Sequence, residues 1–178
     1  ALVVGNGQYA GSPLKNPASD ARAVASALTR MGFEVARHTD LGQKDLNRAI
    51  TRFGAQLRGN SVALFYYAGH GMQVNGKNYL VPVDAQIANE GSVRSESVDV
   101  DSVLDQFQAA GSGLNIVVLD ACRNNPFEHR WRGAGGGLAQ MEAPKGTLIA
   151  SMKDSFSGRS FSNRAIRASS SPSRSGRR

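Results

Sequence analysis

Two side chains in this sequence could do nucleophilic chemistry together: His70 and Cys122, the single cysteine of 178 residues. A thiol attacks as its thiolate, and an imidazole is the usual base that makes one. One cysteine also excludes an internal disulfide. The two residues lie 52 positions apart, so the fold must bring them together. Each closes an apolar run. The first is Ser61-Val-Ala-Leu-Phe-Tyr-Tyr-Ala-Gly-His70-Gly71, and the second is Leu114-Asn-Ile-Val-Val-Leu-Asp-Ala-Cys122-Arg123. Both are short, rich in β-branched and aromatic residues, and apolar on consecutive positions. That pattern predicts strands buried on both faces, as in a parallel sheet. In open α/β sheets, ligands gather at the carboxyl ends of the strands. The runs therefore predict a histidine and a cysteine at one edge of one sheet.

The flanking residues carry a resemblance. Tyr67-Ala68-Gly69-His70-Gly71, followed by Asp120-Ala121-Cys122-Arg123-Asn124-Asn125-Pro126-Phe127, resembles the caspase-like cysteine peptidases. It is most similar to the bacterial group related to metacaspases and paracaspases. In caspases the histidine also stands about 50 residues before the cysteine motif. Asp-Ala before the cysteine, in place of Gln-Ala, points away from the animal caspases. The resemblance covers roughly residues 1 to 150. It implies a cysteine endopeptidase acting on protein or peptide substrates. Cys122 would be the nucleophile and His70 the general base, then the acid. The backbone N–H groups of Gly71 and Cys122 would form the oxyanion hole. It also implies that Asp20 and Asp120 line the pocket for the residue before the scissile bond. A carboxylate pair there would select Arg or Lys. Ala68 stands where the family often has serine. The family normally continues after its fifth strand with a loop, a helix and a final strand, which are not recognisable here. That leaves a second hypothesis open: a truncated, inactive domain serving as a protein-interaction module.

The pattern of elements around the pair predicts what must hold it. Ala1–Gly5 reads as the first strand. A helix follows from Pro17, with Asn16 as cap and Ala21, Val24, Ala25, Leu28 and Met31 at helical spacing. Residues 33–39 read as a strand, 44–57 as a helix bearing Leu46, Ile50, Phe53 and Leu57, and 61–68 as a strand leading to His70. Asn75-Gly76 between apolar residues predicts a hairpin over 72–81. Residues 82–97 read as a loop, and Asp99 or Asp101 as the cap of a helix carrying Val103, Leu104 and Phe107. A last strand is expected at 146–150, after a long Gly-rich loop at 124–137. The alternation predicts an α/β fold: a three-layer α/β/α sandwich with a mainly parallel central sheet, its C-terminal part missing.

Charge divides the chain. Residues 1–152 hold 14 Lys/Arg against 13 Asp/Glu, while 153–178 hold 7 against one. The expected organisation is a catalytic domain at 1–152 and a basic Ser/Arg-rich tail at 153–178, too polar to order itself. Arg130, Arg132, Lys145 and Lys153 are candidate self-cleavage positions. No specific nucleic-acid partner is expected, no run is long enough to span a bilayer, and no oligomeric state is assigned. A soluble protein of bacterial cytoplasm or periplasm is expected. Gly5-Asn-Gly7-Gln-Tyr-Ala10 matches a dinucleotide fingerprint in outline, but Pro13 and Pro17 interrupt the helix it should open. His38 and His129 read as surface histidines. No metal constellation is present. Some relatives use calcium, but Asp84, Glu90, Glu96, Asp99 and Asp101 lack EF-hand spacing, so no cofactor is expected.

Overall fold

The computed structural model describes residues 1–122 and 138–151, Cys122 by its backbone alone. The elements in chain order are β1 (Leu2–Gly5), α1 (Pro17–Arg30), β2 (Ala36–Thr39), α2 (Gln43–Gln56), β3 (Val62–Val74), β4 (Lys77–Leu80), α3 (Glu90–Glu96), β5 (Val98–Asp99), α4 (Asp101–Ala110), β6 (Leu114–Cys122) and β7 (Thr147–Ser151). Strands β2, β1, β3, β6 and β7 pair in that order, every pair parallel. Beyond the end of β1, β3 pairs instead with β4 in antiparallel fashion, and β4 with β5. The predicted mainly parallel sheet is what forms.

Alternation along β3 assigns the two faces. Leu64, Tyr66 and Ala68 pack with Val3 against Ala21, Ala25 and Leu28 of α1. Phe65 and Tyr67 face the opposite way, into a core with Leu46, Ile50 and Phe53 of α2 and Val103, Leu104 and Phe107 of α4. Phe53 and Phe107 meet edge to face, their centroids 6.0 Å apart. Helices thus cover both faces, which makes the three layers. Burying a large apolar side chain stabilises by about 1.5–3 kcal/mol, so these cores hold the helices against the sheet. Gly5 lets α1 come close: a Cβ there would lie 2.8 Å from the Ala21 Cβ. The Asn75-Gly76 hairpin forms, with φ of 51° and 79° at its two central residues. Positive φ at both is what a type I′ turn needs.

Several features differ from the sequence expectation, among them the start of β2 at Ala36 in place of residue 33. The strand read as ending at Ala68 continues as β3 through His70 to Val74. His70 therefore sits inside a strand and not in a loop beyond one. The segment read as a loop contains α3, closed by a capping box between Asn89 and Ser92. Its single buried apolar residue, Val93, gives no periodicity to detect. Asn16 makes no side-chain cap to α1. At α4 the carboxylate of Asp99 accepts the Asp101 N–H at 3.0 Å. The 124–137 loop and the tail from residue 152 lie outside the described residues.

Candidate active site

His70 is held through its ring Nε2 and through its backbone. Its ring Nε2 lies 2.8 Å from the Ser12 carbonyl oxygen. A carbonyl only accepts, so Nε2 carries the hydrogen, and Nδ1 of the neutral ring presents a lone pair. Nδ1 is buried and has no hydrogen-bond partner among the described residues. Burial lowers the pKa of His70, with the Ser12 contact opposing it more weakly. The neutral base is thereby favoured over the imidazolium.

Ser12 is placed by the loop after β1. Asn6 ties that loop to Leu41 twice, donating to its carbonyl at 3.1 Å and accepting its N–H at 2.9 Å. Asp40 accepts the N–H groups of Gly7 and Gln8 at 2.8 and 3.0 Å. The outline of a dinucleotide motif is therefore a loop fastened by the acid that such a motif would aim at a ribose.

The backbone of His70 meets an unusual partner. Val81 donates to the His70 carbonyl at 3.0 Å, one bond of a β3–β4 pair. The reciprocal bond is replaced by the Tyr9 hydroxyl. It accepts the His70 N–H at 3.0 Å and donates to the Val81 carbonyl at 3.0 Å. Tyr67 adds a second hydroxyl, 2.8 Å from the Val81 carbonyl and 3.1 Å from that of His70. Burial raises the pKa of Tyr9 to about 12, so its hydroxyl stays protonated. The Tyr9 ring also tilts against the imidazole, centroids 4.4 Å apart. Gly69 is confined by this pair: a Cβ would lie 2.7 Å from both hydroxyls.

The register brings Cys122 of β6 directly opposite His70 of β3. Adjacent strands lie about 4.8 Å apart, so the two backbones are neighbours. The Cys122 side chain lies outside the described residues. Gly71 alternates with His70, so its backbone groups face β6 and not β4. A Cβ on Gly71 would lie 2.9 Å from the Ala121 Cβ and 3.1 Å from Leu138. The Leu138 segment is held by Asn78, which accepts the Ala139 N–H at 2.6 Å and donates to its carbonyl at 2.9 Å.

Asp20 lies in the first turn of α1 and Asp120 two residues before Cys122. Both are half-buried. Both charges act on Tyr66. Its hydroxyl donates to Asp120 Oδ2 at 3.2 Å. Burial first, then the charges of Asp120 and Asp20, hold its pKa well above the phenol range. Burial also raises the pKa of Asp20. The α1 face of the sheet thus carries both predicted acids on the His70 side.

Tyr9, Ser12, Tyr66 and Asn78 escaped sequence reasoning. Only Tyr9 carried a signal, as an aromatic in a Gly-rich loop. His38 is half-buried on β2, and Lys145 is exposed before β7. His129, Arg130, Arg132 and Lys153 lie outside the described residues. Among the described residues no group of three or more His, Cys, Asp or Glu could hold a metal. Asp84 accepts the Gln43 N–H at the start of α2, and Asp99 and Asp101 bind Lys77. No described helix is long and apolar enough to cross a membrane.

The family model of the caspase domain, peptidase family C14, matches residues 1–174. Mucosa-associated lymphoid tissue lymphoma translocation protein 1 of Homo sapiens is 35% identical over 125 residues, 69% of this chain. Its Mus musculus homolog is also 35% identical over 125 residues. The chain spans only 15% and 14% of the length of these relatives. Protein GSU0716 of Geobacter sulfurreducens superposes with a TM-score of 0.53 at 19% identity, over 69% of this chain and 50% of that one. That likeness supports the fold alone. With the sheet order, the two motifs and the family match in agreement, this chain belongs to the caspase-domain family of peptidases.

Proposed function

We propose that the chain is a cysteine endopeptidase that cleaves after Arg or Lys, as metacaspase-like enzymes do. The observation that carries it is the His70 ring: Nε2 donates to Ser12, leaving the Nδ1 lone pair without a described partner on the residue facing Cys122. In this mechanism Nδ1 takes the Cys122 proton and the thiolate attacks the scissile carbonyl. The oxyanion is met by the N–H groups of Gly71 and Cys122, donors worth about 3–4 kcal/mol each in related sites. The imidazolium then protonates the leaving amine, and water hydrolyses the thioester. No cofactor enters these steps. Asp20 and Asp120 supply the charge that an Arg or Lys side chain would neutralise; the Asp120 hydrogen bond to Tyr66 and the influence of both charges on that hydroxyl support one pocket.

The test is hydrolysis of fluorogenic peptides ending in Arg, Lys or Asp, with Cys122→Ala and Asp120→Asn in parallel. Cleavage after Arg or Lys, lost in Cys122→Ala and weakened in Asp120→Asn, is expected. Cleavage only after Asp would retain the Cys/His chemistry and discard the acidic pocket. No cleavage by a folded chain would favour the interaction module.

A further inference from the structure

We propose that the outer edge of β2, with the groove it shares with α2, docks an extended acidic peptide segment of another protein by strand addition. Ala36 donates to the Ala1 carbonyl at 2.9 Å and Asp40 to that of Gly5 at 3.0 Å. Strand periodicity then turns the N–H and C=O groups of Arg37 and Thr39 outward. No described strand pairs with β2 on that side. An open edge of this kind is a template for main-chain hydrogen bonds.

The side chains beside the edge choose the occupant. A groove of about 470 Å³ runs between β2 and α2, edged by Arg37, His38, Arg48 and Arg52 over Ala49 and Phe53. Arg48 pairs with Asp45, the one carboxylate lining it. Arg37 and Arg52 form no ion pair among the described residues. The groove therefore offers an apolar floor with unneutralised guanidinium groups along it. Such groups bind carboxylates in a bidentate fork. The chain's own tail is excluded by charge, since residues 153–178 carry seven cations and one acid. A second copy is disfavoured too, because pairing β2 with β2 would oppose like charges. The docked peptide is also distinct from a cleaved one, because the Asp20 and Asp120 carboxylates would repel it.

The experiment uses the full chain as Cys122→Ala, which prevents turnover. A fluorescent nonapeptide alternating Glu with Val and Thr is titrated at low salt and followed by anisotropy. Arg37→Glu/Arg52→Glu is compared after circular dichroism shows it folded. A peptide N-methylated at alternate residues, in each of its two registers, reports on main-chain pairing without altering the protein. Expected are micromolar binding, at least tenfold loss in the double variant, and similar loss in one methylated register only. Three outcomes would overturn the proposal. The first is no binding, leaving Arg37 as a guard against edge pairing. The second is binding indifferent to both methylated registers, or tighter to heparin, meaning a polyanion surface. The third is a concentration-dependent dimer abolished by Arg37→Glu, meaning a second copy as the occupant.

Discussion

Replacing Tyr9 with Phe would remove one oxygen atom and leave the ring in place. The apolar contacts and the tilt against His70 are preserved, and no cavity opens. What disappears is the hydroxyl between the His70 N–H and the Val81 carbonyl. The Val81 carbonyl keeps Tyr67 at 2.8 Å. The buried His70 N–H loses the partner it has in the structure. One orphaned buried donor costs roughly 1–3 kcal/mol. Tyr67→Phe is the matched control. It too deletes a buried hydroxyl, but both carbonyls it serves keep another donor: Val81 N–H for His70, Tyr9 for Val81. Its cost should be nearer ~1 kcal/mol. Urea unfolding of the two variants, with m unchanged, reads the difference directly. Tyr9→Phe should lower the midpoint more than Tyr67→Phe. If the control costs as much, or Tyr9→Phe costs less than about 0.5 kcal/mol, the hydroxyl does not complete the strand pair as described.

Other outcomes follow from the same geometry. Gly5→Ala would press a Cβ against the Pro17 carbonyl and Ala21, and should cost about 1–3 kcal/mol in thermal or urea unfolding. His70 is held neutral, its folded pKa below the ordinary 6.5. The unfolded chain therefore binds more protons just below pH 6.5. The stabilisation is complete above that pH and is lost as pH falls through the window down to the folded pKa. His70→Gln should flatten that part of a stability-versus-pH curve. Tyr66→Phe removes one donor to Asp120, so KM for an Arg peptide should rise several-fold with kcat nearly unchanged; an equal fall in kcat would place Tyr66 elsewhere in the reaction.

How much was legible in the sequence depended on whether a signal was local. The apolar runs of β1, β3 and β6, the periodic faces of α1 and α2, and the Asn75-Gly76 turn all report their own conformation. The continuation of β3 past Ala68 did not. Gly69, His70 and Gly71 carry no strand propensity, and the strand persists because β4 and the Tyr9 hydroxyl receive its backbone. The α3 helix had one usable sign, Asn89 with Ser92 three residues on, but no apolar face. Ser12 and Tyr9 reach His70 from 58 and 61 residues away, and no local pattern encodes such a contact. Asp20 and Asp120 were singled out by resemblance alone; the structure adds that Tyr66 donates to Asp120 and feels both charges.

The parallel pairing of β3 with β6 also has a meaning in time. His70 and Cys122 become neighbours only after the 52 residues from Gly71 through Cys122 exist. At about 5–20 residues per second, a ribosome takes roughly 3–10 s to add them. Through that interval the nascent chain holds the histidine, the Ser12 loop and the tyrosine hydroxyls, but no cysteine. The β6 strand thus arrives at a place already built, with only β7 of the described strands still to follow, and Cys122 meets His70 late in synthesis.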